Sequence, residues 1–105
     1  MYYPKDVKTE FIYADPCGYV GLELSEEIAD LCDHSGPCDA DIENCLLLPE
    51  IRQQFDEISD EQLIECLNEI GIEDYDPETA TRHSNESYVL WIACGQYHEE
   101  QLLNQ

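Results

Sequence analysis

Basic residues are the scarcest component of this chain: 4 Lys+Arg stand against 25 Asp+Glu in 105 residues, a formal net charge of −21. So few cations exclude ordinary binding to DNA, RNA or anionic lipid through a basic surface. There is no apolar run near the roughly 18 residues of a membrane span. The opening Met1-Tyr2-Tyr3-Pro4-Lys5-Asp6 has no apolar signal core, which predicts a cytoplasmic protein with no membrane partner. Internal repeats and linkers are missing too, so residues 1–105 read as a single domain, the size expected of one. What the chain does have is a hydrophobic share of 43%. Charge-driven disorder needs low hydrophobicity as well, so a small core is expected. Six cysteines without an export signal read as thiols or metal ligands rather than a disulfide framework.

The acid is concentrated: residues 25–50 carry −8 and residues 51–80 carry −9 of the total −21. Within that block acids alternate with apolar residues at helical spacing, a pattern that a disordered polyacidic tail has no use for.

Residues 7–14 and 19–24 are rich in β-formers, and Asp15-Pro16-Cys17-Gly18 between them is turn chemistry, which predicts an N-terminal β-hairpin. Ser25 is expected to cap a short helix through about Cys32, and Asp39 a second carrying Ile42, Cys45 and Leu46. Pro49 suits the first turn of a third, with Ile51, Phe55 and Ile58 on one face. Ser59 and Gln62 form a capping box, and Gly71 sits where a C-terminal glycine belongs. Asp76-Pro77-Glu78 reads as the start of a last helix, whose residues 88–94 are apolar all round and therefore central. The sum is an α+β, helix-dominated domain with the hairpin packed on four to five helices.

At 100° per residue, Leu63, Ile64, Leu67 and Ile70 fall on one face of the helix over 60–70, and Glu61, Glu65 and Glu69 on the other. On the helix over 26–33, Glu26, Asp30 and Asp33 share one side, with Ile28, Leu31 and Cys32 towards the other. Neither row has a base at an i+4 position, and each like-charge pair costs about 0.2–0.5 kcal/mol. One account of these rows is a solvated surface. However, −21 far exceeds the magnitude of about 2–8 that suffices for solubility. The other account is a polyanion surrogate. Carboxylates four residues apart lie about 6 Å apart along the helix axis, against one charge per roughly 3.4 Å of axis on each DNA strand. On this account the expected contact residues are Glu61, Glu65 and Glu69, with Glu73, Asp74 and Asp76 just beyond, and a second patch of Glu26, Asp30 and Asp33.

In size, charge and helix-rich texture, including stripes such as Glu61/Glu65/Glu69, the chain resembles small acidic inhibitors carried by phages and mobile elements: anti-restriction DNA mimics and acidic anti-CRISPR proteins. The resemblance rests on no shared motif. It implies a non-enzymatic protein without cofactor. Its partner would be a basic nucleic-acid-binding protein or complex of the host, not nucleic acid itself.

A competing reading takes Cys32, His34, Cys38 and Cys45 as the ligands of a structural zinc in a small interaction protein. Their C-x-H-x3-C-x6-C spacing lacks the paired C-x2-4-C of common zinc sites, and Cys45 lies in an apolar phase that suits a core thiol. Cys94 and His98 have the spacing of a nucleophile and base, but the apolar run before Cys94 favours packing. Asp39-x-Asp41-x-Glu43 and Asp74-x-Asp76-x-Glu78 resemble fragments of calcium loops without the glycine and terminal Glu of an EF-hand. Tyr2 and Tyr3 are either packed residues or interface anchors.

Overall fold

A computed structural model describes residues 22–32 and 36–103, with the backbone alone described over 96–103. The described residues form five helices: α1 (Glu26–Leu31), α2 (Ala40–Leu46), α3 (Pro49–Asp56), α4 (Asp60–Ile70) and α5 (Arg82–Leu103). They contain no strand, so the α+β class is corrected to an all-helical one among the described residues. Most of the expected hairpin, 7–21, lies outside them. Its last three residues are described and are not paired as a strand. Instead the Gln54 side chain brackets Glu23, accepting from its backbone N–H at 2.6 Å and donating to its carbonyl at 3.0 Å. A side-chain amide thus supplies the two hydrogen bonds that a neighbouring strand would have made.

The short helices are set by their caps. Ser25 Oγ accepts from Ile28 N–H at 3.2 Å and Asp39 Oδ1 from Asp41 N–H at 2.9 Å, satisfying donors that a first turn leaves open. Pro49 starts α3. The Ser59/Gln62 box is reciprocal, at 3.2 and 2.9 Å, and Gly71 closes α4 in the left-handed region at φ 72°.

The long helix α5 begins later than Asp76. Asp76 caps only one turn, its carboxylate accepting from Glu78 N–H at 3.0 Å and its carbonyl from Ala80 N–H at 3.1 Å. Thr81 then caps α5, with its hydroxyl accepting from Ser84 N–H at 3.1 Å. What holds the break is side-chain bonding between the turn and the helix. Asn85, buried, donates to the Pro77 carbonyl at 3.0 Å and accepts from the Tyr75 hydroxyl at 2.6 Å. The rings of Tyr75 and Tyr88 lie 4.1 Å apart, tilted by 36°, and Tyr88 meets Trp91 edge-on.

Val89, Leu90, Trp91, Ile92, Ala93 and Cys94 are all buried in succession, which places this part of α5 at the centre of the fold. Helices α4, α2 and α1 pack around it, and Phe55, Leu63, Leu67 and Ile70 complete the core. No helix among the described residues is long and apolar enough to cross a membrane.

Candidate functional site

On α4 the inner face is Leu63, Cys66, Leu67 and Ile70, all buried, and Glu61, Glu65 and Glu69 are all exposed. The capping box at one end and Gly71 at the other hold this row on a rigid backbone. Glu73, Asp74 and Asp76 follow in the connection to α5 and are also exposed. Asp74 adopts φ 60°, a left-handed conformation that aspartate tolerates better than most side chains. On α1, Glu26 and Asp30 are exposed one turn apart; Asp33 of the same patch lies outside the described residues.

Both arginines of the described residues are engaged within the fold. They converge on Glu86 of α5, whose side chain is only 5% exposed. Arg52 holds it through Nη1 and Nη2, at 3.2 and 2.5 Å, with its Nε on Asp56 at 3.2 Å, and Arg82 approaches from Nε at 3.2 Å. Arg82 also donates to the carbonyls of Phe55 and Ile58 at 2.6 and 2.8 Å, at and just past the end of α3, and pairs with Asp60. Glu86 hydrogen-bonded to Arg52 raises the guanidinium pKa further, so that cation is fixed in place. The two arginines are thereby drawn to an internal junction of α3, α4 and α5, and among the described residues neither pairs with Glu61, Glu65 or Glu69.

Of the cysteine cluster, Cys32 and Cys45 are buried in the core and Cys38 is exposed. Cys38 is tied by its backbone N–H to Ser87 Oγ at 2.7 Å, and its φ is 64°. His34 lies outside the described residues. Cys32 is hydrogen-bonded to Cys94; that bond and then burial hold its thiol far above the ordinary range. Burial pushes Cys45 up to about 12. These are packed, neutral thiols. Among the described residues no group of three or more His, Cys, Asp or Glu is placed to hold a metal ion. Three acids of the two calcium-like fragments have local duties: Asp39 and Asp76 accept backbone N–H groups, and both Glu43 oxygens meet His83 Nε2 at 2.8 Å. Cys94 is buried against Cys32, and the side chain of His98 lies outside the described residues.

Two features escape the sequence reading. Glu86 and Arg82 are visible as an i, i+4 pair, but Arg52 joins them only through tertiary packing. Leu31, expected towards the inner side of α1, is 50% exposed.

The chain matches no protein-family model, and no curated protein or solved structure matches it.

Proposed function

We propose that this protein is a cytoplasmic, non-enzymatic inhibitor that acts as a nucleic-acid mimic. It occupies the DNA- or RNA-binding site of a basic host complex such as a CRISPR-Cas effector or a restriction enzyme. The observation that carries this reading is the separation of charge. Exposed carboxylates stand in a row on α4, while the two arginines are bound to the buried Glu86, Arg82 reaching α4 only at its first residue, Asp60. A protein that needs charge only for solubility gains nothing from an unrelieved row of this kind. A cleft lined with Lys and Arg would attract such a surface at long range and align it at contact.

The test is interference in cells. Phage plating is compared on hosts with an active CRISPR-Cas or restriction system that express wild type or the variant Glu61→Gln, Glu65→Gln, Glu69→Gln. Wild type should relieve the block to plating, and the triple variant, present at equal abundance, should lose most of that relief. Equal relief by both proteins would remove this row from the mechanism. No relief by wild type against any such system would overturn the proposal.

A further inference from the structure

Between the end of α1, the outer side of α2 and the start of α3 lies a mostly apolar cavity of about 140 Å³, open to solvent and lined by Leu31, Asp41, Asn44, Cys45 and Leu48. An apolar cavity of about this size is enough for a benzene ring, so the space takes one aliphatic or aromatic side chain. Leu31 on its wall is half exposed, and Leu47, beside Leu48, is 74% exposed. These two are the exposed large hydrophobics among the described residues. The surroundings are acidic. Asp41 forms part of the wall, Glu27 stands one helical turn before Leu31, and Glu50 follows Leu48 by two residues; Glu27 and Glu50 are exposed.

We infer that this acid-rimmed cavity docks a cationic amphipathic segment of a partner protein: one aliphatic or aromatic side chain enters between Leu31 and Leu48, and flanking Lys or Arg face the exposed Glu27 and Glu50. Charge selects this occupant over the others. A second copy of this chain brings another −21 and is repelled, and an acidic or purely apolar segment forgoes the carboxylates. The site has the usual make-up of a small recognition pocket, an apolar anchor point with charged surroundings. It lies on α1, α2 and α3, apart from the α4 row, and does not depend on that row being a mimic. An apolar anchor also gives binding a part that salt does not screen.

Two synthetic peptides of about 14 residues, long enough to populate a helix on binding, test this. Both carry the same lysines; one has leucines along one face and the other has serines there. The leucine peptide should bind at least about tenfold more tightly and keep measurable affinity in about 0.5 M NaCl. It should shift the methyl resonances of Leu31 and Leu48. Leu31→Ser, a change at a half-exposed position that leaves the fold intact, should weaken it by about fivefold or more. Leu47→Ser, outside the cavity, and the triple Gln variant of α4 should each change it less than about twofold. Equal affinity for the two peptides, indifference to Leu31→Ser, or a loss with the α4 variant as large as that with Leu31→Ser would overturn the inference. The last of these would leave the mimic reading standing, and failure of the plating experiment would leave this one standing.

Discussion

Glu86 is the anion on which both described arginines close, and its burial decides what the junction is worth. Removing one partner of a buried ion pair costs about 3–5 kcal/mol because the other charge is left uncompensated. Here both guanidinium groups are about one-third exposed, so water softens the loss. Glu86→Ala is expected to destabilise by about 2–3 kcal/mol, which lowers Tm by roughly 10 °C or more in a domain of this size. Thermal melts of Glu86→Ala and of Arg52→Ala check this, and the arginine variant should lose less. The buried thiols make a separate prediction. Folding raises the pKa of Cys32, Cys45 and Tyr75, so the native state binds protons more tightly than the unfolded chain above pH 9. The stability these groups contribute is complete below the ordinary thiol value of 9.0 and is lost as pH climbs towards about 12 for Cys45. The urea midpoint should therefore fall steadily from pH 8.5 to 10.5 at roughly constant m, and Cys45→Ala should flatten that slope.

At the scale of the element, α4 is the piece on which the proposed function rests, and its ends hold it. Ser59→Ala should cost about 1 kcal/mol through loss of the capping box. Gly71→Ala should cost about 1 kcal/mol or more, since alanine at φ 72° is strained. The triple Gln change on the outer face should be neutral to stabilising by up to about 1 kcal/mol, as two like-charge pairs disappear and Gln keeps the helix propensity. Chemical denaturation of the three variants separates these outcomes. The first four helices were legible because their signals are local: Ser25, Asp39, Pro49, and Ser59 with Gln62 each act within one turn. The start of α5 was not, because Asp76-Pro77 obeys the same capping rule for one turn. The bonds that end that turn, Tyr75 to Asn85 and Asn85 to Pro77, come from tertiary packing. The β-formers of 22–24 misled for a similar reason, since Gln54, thirty-one residues from Glu23, occupies their backbone. Leu31 has an inward helical phase, but whether a neighbour covers it is decided by how α1 meets α2.

For the whole molecule the governing quantity is −21. Self-repulsion of that size weakens the compact state, and added salt screens it over a Debye length of about 8–10 Å. Tm should therefore rise between about 10 and 300 mM NaCl, the reverse of a fold that depends mainly on surface ion pairs. A fall in Tm over that range would show that the Arg52–Glu86–Arg82 junction outweighs the repulsion. The same surplus makes the mimic reading a question of competition. The most direct measurement is equilibrium binding to the restriction or CRISPR-Cas complex that the protein relieves, titrated with the cognate nucleic acid and repeated across salt. The account predicts mutually exclusive binding, affinity that falls steeply with salt, and a loss of several-fold or more in the Glu61→Gln, Glu65→Gln, Glu69→Gln variant. Simultaneous binding of protein and nucleic acid, with affinity indifferent to those three charges, would contradict it.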